Sequence, residues 1–255
     1  MVEKVAPRDV SVLLLGESGT GKERIAHLLH ELSPRHEHPL VVVDCGSTPA
    51  TLLESELFGH VKGSFTDAVR DKKGLIEEAH KGTLFLDEIG NISTEMQLRL
   101  LRFLENRKIR RIGDTREIAV DCRVVAATNA DLAQDVAEGT FREDLYYRLR
   151  VVTINVPPLR ERKEDIPLLA AHFAASFCKS QGLEQVRIPQ ETYDFMANYA
   201  WPGNIRELKN AIEAGVVLCQ GGVLTPRDLQ LAPASRVHHG DEAMSLDESE
   251  KQAII

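Results

Sequence analysis

The stretch "VSVLLLGESGTGKERIAHLLHEL" (10–32) decides the fold, because it passes from a strand through a glycine-rich loop into a helix. Its first part, "VSVLLLG" (10–16), is a short apolar run ending in glycine, which is typical of a strand buried on both faces. Apolar residues at 25, 26, 28, 29 and 32 then form one face of an amphipathic helix. The sequence therefore predicts a strand, a tight turn and a helix in direct succession.

The same alternation continues along the following chain. Further buried strands are predicted at "PLVVVDC" (39–45), "GTLFLDE" (82–88), "DCRVVAATN" (121–129) and "VVTINVPP" (151–158), and helices at "TPATLLESELFG" (48–59) and "STEMQLRLLRFLEN" (93–106). Ser93 is expected to cap the second of these helices. Alternating strands and helices predict an α/β fold, with a parallel sheet and flanking helices on both faces.

The strand pattern stops after "PPLRERKEDIP" (157–167), and helical patterns then fill residues 164–180, 190–199 and 204–219. We therefore expect an α/β domain over residues 1–158 and a small all-helical lid domain over residues 159–232. Residues 233–255 turn polar and acidic, which predicts a linker.

Composition narrows the class of protein. The formal net charge of −8 over 255 residues argues against binding nucleic acid through the whole surface, since phosphate contacts need a basic face. The basic run "RKIRR" (107–111) predicts a solvated hairpin rather than a DNA-binding patch. Four well-separated cysteines without CxxC pairing favour a reducing compartment, and no apolar run is long enough to span a membrane. We expect a soluble, cytoplasmic protein without a membrane partner.

The loop "GESGTGKE" (16–23) predicts a phosphate site, formed by Gly16, Glu17, Ser18, Gly19, Thr20, Gly21, Lys22 and Glu23. Its glycines let successive amides face an anion, and the following helix adds the positive end of its dipole. Lys22 is expected to reach the outer phosphates of ATP. Glu23 stands where Ser or Thr would offer a hydroxyl to Mg²⁺, so metal binding would depend on Asp87 and water.

Two further strands end in polar residues. "TLFLDE" delivers Asp87 and Glu88 to the carboxyl edge of the sheet, beside the phosphate loop. Asp87 can hold Mg²⁺, and Glu88 can orient and deprotonate the attacking water. "AATN" (126–129) brings Asn129 to the same edge, where it could sense the terminal phosphate.

These motifs, with "FREDLYYRL" (141–149) and "WPGNIREL" (201–208), resemble in order and spacing the AAA+ ATPase domain of bacterial enhancer-binding proteins, which activate the sigma-54 RNA polymerase. The resemblance covers about residues 5 to 232. It implies a P-loop AAA+ fold with a helical lid, and a ring-shaped homo-oligomer, usually a hexamer, with ATP between subunits. It also implies that DNA is bound only through a domain absent from this chain.

The resemblance assigns roles to three arginines. Arg142 and Arg148 match the arginines that reach into the neighbouring subunit's site, and Arg206 matches the sensor arginine that the lid lays on the nucleotide. Six positions on a helix separate side chains by about 120°, so Arg142 and Arg148 are not expected to share one task. In the "WPGN" turn, we expect Asn204 to cap the next helix and Trp201 to lie in the lid core.

Two positions depart from the family pattern. Asp44 replaces the Asn that commonly holds the catalytic glutamate, and it is the first alternative candidate for the base. The loop "GSFTDA" (63–68), which comprises Gly63, Ser64, Phe65, Thr66, Asp67 and Ala68, usually reads GAFTGA and contacts the sigma factor. We expect Phe65 and Thr66 to be exposed for a protein partner.

The leading interpretation is an ATP-hydrolysing AAA+ domain that remodels sigma-54 RNA polymerase at promoters. One alternative is a nucleotide-binding regulatory module of the same fold whose altered loop engages sigma-54 weakly or not at all. Another is a monomeric small-molecule phosphotransferase with a phosphate loop, which two ring-forming arginines and a lid sensor argue against.

Overall fold

The computed structural model describes residues 1–66 and 68–231. Asp67 of the "GSFTDA" loop and the expected acidic linker, 233–255, lie outside the described residues. Within them, the chain forms a parallel sheet with flanking helices, followed by a helical lid. The predicted fold class is thus confirmed, whereas the boundaries that we placed at 158 and 232 stay predictions.

The central sheet has five strands, β1 (Val12–Leu15), β2 (Leu40–Asp44), β5 (Thr83–Asp87), β8 (Arg123–Thr128) and β9 (Val152–Asn155). Their order across the sheet is β2-β5-β8-β1-β9, and every neighbouring pair is parallel. Two short antiparallel pairs lie outside it and join β3 (Gly59–His60) to β4 (Lys72–Lys73) and β6 (Lys108–Ile109) to β7 (Ile118–Ala119). The β6–β7 pair confirms the predicted hairpin.

The helices alternate with these strands and then continue alone. They are α1 (Val2–Val5), α2 (Lys22–Glu31), α3 (Ala50–Phe58), α4 (Leu75–Glu78), α5 (Thr94–Asn106), α6 (Leu132–Ala137), α7 (Glu143–Leu149), α8 (Ile166–Gln181), α9 (Gln190–Asn198) and α10 (Asn204–Leu218). Ser93 caps α5 as predicted, because its side chain accepts a hydrogen bond from the Met96 amide.

Successive residues of the inner strands bury opposite faces of the sheet. Leu84, Leu86 and Val124 belong to the larger apolar cluster, whereas Phe85 and Val125 pack with α1 and α2 in a smaller one. A third cluster surrounds Trp201 in the lid and is separate from the other two. Apolar side chains on both faces explain why the inner strands read as continuous apolar runs.

Strand β2 differs from the prediction of a strand buried on both faces. It lies at the edge of the sheet, and the Val42 side chain is 42% exposed. An apolar run therefore predicted a strand correctly but did not tell an edge strand from a central one, because that depends on which strands pair across the sheet.

A buried arginine ties α1 to the middle of the sheet. Arg123, the first residue of β8, donates from Nη1 to the Ala6 oxygen at 2.7 Å and from Nη2 to the Val5 oxygen at 3.1 Å. A third acceptor, the Leu29 oxygen, lies 3.5 Å from Nη1. Within the described ranges no carboxylate pairs with it, and burial lowers the pKa of its guanidinium. The carbonyls at the C-terminal end of α1 thus accept from both terminal nitrogens of this buried guanidinium, while its Nε has no partner among the described residues.

The parallel topology places the ends of several strands at one edge. Asp44 and Asp87 are paired across β2 and β5, and Leu15 is paired with Thr128 across β1 and β8. The residues that follow these strands therefore emerge side by side. In open α/β sheets this carboxyl edge is where ligands bind.

Candidate functional site

The phosphate loop leaves β1 at this edge and turns directly into α2. Gly19 and Gly21 adopt positive φ angles of 77° and 95°, which glycine reaches without strain. The Thr20 hydroxyl donates to the Glu17 oxygen at 2.8 Å and holds the loop closed. Within the part of the chain that the structure describes, the amides of Ser18, Gly19 and Gly21 donate to no acceptor. Unpaired amides in such a turn form an anion-binding concavity.

Lys22, at the start of α2, points back into this loop. Its ammonium donates to the Gly16 oxygen at 2.8 Å and to the Glu17 oxygen at 3.1 Å. Burial lowers the pKa of Lys22, and the carboxylates of Asp87 and Glu88 counteract that shift. The neighbouring Glu23 is exposed and lies 3.8 Å from His27, one turn further along α2.

Asp87 and Glu88 stand at the end of β5. Burial raises the pKa of Asp87, while the Glu88 amide, 3.0 Å away, and Lys22 counteract the rise. Glu88 itself adopts a left-handed conformation with φ of 54°, uncommon for a non-glycine residue and frequent at functional sites. Its Oε2 accepts a hydrogen bond from Asn91 Nδ2 at 2.9 Å. Asn129 is exposed just after β8, the strand between β5 and β1.

Asp44, at the end of β2, makes its hydrogen bonds within its own loop. Its Oδ1 accepts from the amides of Gly46 at 2.9 Å and Ser47 at 3.1 Å. The Ser47 side chain and these amides lower the pKa of Asp44, so it is a weak base. Asp44 as the alternative base thus stays a prediction, and its lowered pKa does not favour it.

The lid lies directly on the phosphate loop. Arg160 donates twice to the Glu17 carboxylate, at 2.6 and 2.8 Å, and Asn204 Nδ2 donates to the same carboxylate at 3.1 Å. Together these donors lower the pKa of Glu17 to about 2, with Arg160 the largest cause. Arg206, on α10, donates to Ser18 Oγ at 2.8 Å. The loop is thus hydrogen-bonded to the lid as well as to the end of β8, where the Gly16 amide donates to the Thr128 oxygen at 3.3 Å.

Asn204 corrects one prediction. Gly203 is the N-cap of α10, and Asn204 is its first residue, with φ of 53° and no capping role. Its side chain is fully buried and bridges three backbone or side-chain partners, because Oδ1 accepts from the Leu159 amide and Nδ2 donates to Ser18 and Glu17. Trp201 lies in the lid core, as predicted, and donates from Nε1 to the Met196 oxygen at 2.8 Å.

The sequence analysis did not predict two arginines that join the lid to the phosphate loop, Arg160 and Arg162. Arg162 donates to the Thr20 oxygen at 2.7 Å, so both bind the phosphate loop across more than 140 residues. The available signal was their position in "PPLRERKEDIP", directly after the last strand, at the edge where the loop also lies.

The remaining predicted arginines are on α7. Arg142 is the N-cap residue, so the helical angle between it and Arg148 does not apply. Their contacts nevertheless differ, since Arg142 pairs with Asp144 at 2.7 Å and Arg148 donates to the Leu104 oxygen at 3.2 Å. Both guanidinium groups lie away from the contacts of the phosphate loop described above.

The "GSFTDA" loop projects beside the β6–β7 hairpin. Phe65 is 42% exposed, as predicted, although its ring packs edge-on against His60 with centroids 5.0 Å apart. The Gly63 amide closes the loop onto the Ala68 oxygen at 2.8 Å. Thr66 is exposed, whereas Ser64 Oγ is buried and has no partner among the described residues.

The basic residues of the hairpin are paired. Lys108 and Arg110 both bind Glu117, and Arg111 binds Glu77 at 2.8 Å. This neutralisation agrees with a solvated hairpin and gives no support to a DNA-binding patch. In residues 1–66 and 68–231 no cluster of three or more His, Cys, Asp or Glu could hold a metal, and no helix is long and apolar enough to cross a membrane.

A parallel sheet with a phosphate loop after β1, carboxylates after β5 and a lid resting on the loop defines a P-loop AAA+ domain. Residues 1–155 match the Sigma-54 interaction domain, and residues 160–245 match the AAA+ ATPase lid domain. Since the first match covers more than half of the chain, this chain belongs to the Sigma-54 interaction domain family.

Relatives of this chain are bacterial regulators. The transcriptional regulatory protein ZraR of Klebsiella oxytoca is 50% identical over 98% of this chain and 58% of its own length. The response regulator protein PilR of Pseudomonas aeruginosa is 48% identical over 91% of the chain and 52% of its own length. The Nif-specific regulatory protein of Herbaspirillum seropedicae is 51% identical over 88% and 41%. The chain thus spans 41–58% of these relatives.

Solved structures agree with the fold. NtrX from Brucella abortus in complex with ADP has a TM-score of 0.83 at 33% identity, over 100% of this chain and 56% of NtrX. Its complex with ATP has a TM-score of 0.81 at 36% identity, over 91% and 53%. Hsp104, at a TM-score of 0.60 and 20% identity over 83% and 40%, shares the fold alone.

The Glu17–Arg160 pair predicts a pH-dependent stability difference. A carboxyl with a lowered folded pKa stabilises the protein above its unfolded value of 4.5, and this contribution is lost as the pH falls towards about 2. Arg160→Ala should therefore lower the free energy of unfolding at pH 7, by about 1 kcal/mol because the pair is more than a third exposed. The difference from the unsubstituted protein should narrow towards pH 3.5.

Urea denaturation at pH 7 and pH 3.5 measures both effects. Arg227→Ala, an exposed lid substitution, is the matched control and should change stability little at either pH. An equal loss for Arg160→Ala at both pH values would contradict an origin in the Glu17 charge.

Proposed function

We propose that this chain hydrolyses ATP as a ring-forming AAA+ domain and couples hydrolysis to the remodelling of sigma-54 RNA polymerase. The observation that carries the proposal is a convergence of groups around one loop. Lys22, Asp87 and Glu88 come from the sheet side, and Arg206 reaches the loop from the lid. These are the cations and carboxylates that phosphoryl transfer requires.

The residues present fit ATP and Mg²⁺. The unpaired amides of the phosphate loop and the start of α2 suit phosphate oxygens, and the relative NtrX is solved in complexes with ADP and with ATP. Asp87, with water, would hold Mg²⁺, since Glu23 replaces the usual hydroxyl ligand. The ion would neutralise charge on the outer phosphate oxygens during transfer.

Each protein group then has a separate task. Lys22 exchanges its two carbonyl partners for the outer phosphates. Glu88 orients the attacking water and accepts its proton as the new P–O bond forms and the bond to ADP breaks. Asn129 contacts the terminal phosphate, and Arg206 carries the state of the nucleotide into α10.

We further propose a ring in which Arg142 and Arg148 act on the neighbouring subunit's ATP. Their side-chain contacts are with Asp144 and Leu104 and not with the chain's own phosphate loop, and an arginine from a neighbouring subunit adds a further cation for the transition-state charge. Exposed apolar side chains at Val42, Tyr147 and Val151 suit contacts between subunits. Membership in the Sigma-54 interaction domain family favours this assembly over a monomeric phosphotransferase.

The "GSFTDA" loop is the proposed contact with sigma-54. Phe65 offers a large exposed apolar surface on a short loop, and Thr66 adds a hydrogen-bonding hydroxyl. We propose the cytoplasm as the location, because the polymerase and its promoters are there. The ring size that we propose is a hexamer.

Glu88→Gln is expected to bind ATP normally and to hydrolyse it at least about 100-fold more slowly, because the amide cannot accept the proton. Lys22→Ala is the matched comparison and should lose tight binding itself. Steady-state ATPase assays and equilibrium nucleotide binding separate the two effects. Near-native turnover by Glu88→Gln would move the base elsewhere, and unchanged affinity in Lys22→Ala would contradict the assigned loop.

Arg148→Ala should abolish most hydrolysis while leaving nucleotide binding to the isolated subunit intact. Mixing this variant with Glu88→Gln protein should restore part of the activity, since mixed rings contain interfaces with both an intact base and an intact arginine. ATPase activity across mixing ratios measures the restoration. Mixed rings that form but stay inactive at every ratio would count against action between subunits.

Phe65→Ala should keep ATPase activity and lose nucleotide-dependent binding to sigma-54, because the side chain lies outside the phosphate site. Asp67→Gly should strengthen that binding by restoring the residue typical of the family. Pull-down with a transition-state analogue of ATP measures both. If neither the unsubstituted protein nor Asp67→Gly binds sigma-54, the alternative of a regulatory module without this partner replaces the proposal.

A further inference from the structure

The residue that holds the proposed base is not at position 44. Asp44 Oδ1 accepts hydrogen bonds from the Gly46 and Ser47 amides, and an ionised carboxylate has no proton to donate to Glu88. The orientation of Glu88 must therefore depend on a different donor.

Asn91 is that donor. It lies three residues after Glu88, at the end of the 3₁₀ turn Ile89–Asn91, and its Nδ2 donates to Glu88 Oε2 at 2.9 Å. Its backbone amide also donates to the Glu88 oxygen at 3.0 Å. Two hydrogen bonds thus join one residue to both the backbone and the carboxylate of the base, across a turn that begins in the left-handed region at Glu88.

The turn itself is fixed against the next strand. A Cβ on Gly90 would lie 3.2 Å from Thr128 Oγ1 and 3.2 Å from the Ala130 Cβ, so the turn packs closely on the end of β8. Since Asn129 lies between these two neighbours, the donor to the base and the polar group after β8 share one rigid support.

Gly46 encloses the hydrogen bond from the other side. A Cβ at this position would lie 2.5 Å from Glu88 Oε2 and 3.0 Å from Asn91 Nδ2. A methyl group at this position would therefore push the end of the Glu88 side chain out of its present place, whereas glycine leaves room for the Glu88–Asn91 pair. The Asp44 carboxylate holds the Gly46 amide in turn, which gives Asp44 a structural task in this site.

We propose that Asn91 is a positioning residue for ATP hydrolysis, which holds the Glu88 carboxylate in its catalytic orientation beneath Gly46. This assignment rests on the proposed function, with Glu88 as the base. A side chain that fixes the direction of a base changes the rate of the chemical step and leaves ground-state binding largely intact.

The test compares Asn91→Ala with Asn91→Asp in the full chain. Alanine removes the donor, and aspartate keeps the shape of the side chain while replacing the donor with a carboxylate. Both variants should lose kcat for ATP about tenfold or more, with KM within about twofold of the unsubstituted protein. Asn198→Ala removes an exposed asparagine in the lid and is the matched control, with unchanged kcat.

Gly46→Ala provides an independent variant, because its methyl group would displace the carboxylate without removing Asn91. It should reproduce the loss of kcat and keep nucleotide binding. Thermal unfolding of every variant checks that the fold is retained.

The outcomes separate this assignment from the proposed function. Native kcat in Asn91→Ala, or in Asn91→Asp alone, would overturn it while Glu88→Gln stays inactive and the proposed function stands. A rise in KM without a fall in kcat would also overturn it, since that indicates lost binding rather than lost orientation. Absence of ATP hydrolysis by the unsubstituted protein would instead overturn the proposed function, and this assignment with it.

Discussion

The contact between the α/β domain and the helical lid depends on the carboxylate of Glu17. It belongs to the phosphate loop, yet its hydrogen bonds go to Arg160 and Asn204, at the start of the lid and at the start of α10. Around it the Ile205 amide binds the Gly19 oxygen, and a Cβ on Gly19 would collide with the Gly203 oxygen. The phosphate loop therefore cannot change shape without breaking its hydrogen bonds to the lid. Loop shape and lid position are linked by direct contact rather than through the distant core.

Much of this fold follows from local sequence pattern, for reasons that are physical. Buried parallel strands need apolar side chains on both faces, so β1, β5 and β8 were predictable as continuous runs, and Ser93 was predictable as a cap from a local hydrogen bond. The edge position of β2 was not, because strand order depends on pairing between distant segments. Asn204 failed as a cap for a similar reason, since a buried contact with Leu159 and the phosphate loop outweighs its local preference.

The candidate site also contains residues that the sequence predicts and residues that it does not. The loop glycines, the lysine and the two carboxylates at a strand end were predictable, because parallel topology alone brings them to one edge of the sheet. The side chains that hydrogen-bond to these groups are harder to predict, since Arg160 binds Glu17 across 143 positions and Asn91 binds Glu88 across a turn that begins in the left-handed region. Ser64 illustrates the limit most simply. Its hydroxyl stands where the family usually has a methyl group, in a buried position with no hydrogen-bond partner among residues 1–66 and 68–231, and only the tertiary neighbours of the loop reveal that.

The buried guanidinium of Arg123 gives the first residues of the chain a structural role in the sheet. It fastens the last carbonyls of α1 to β8, which has β5 on one side and β1 on the other. The residues ahead of β1 therefore supply the hydrogen-bond acceptors of a charged group in the middle of the sheet, and their removal would leave that group buried without them.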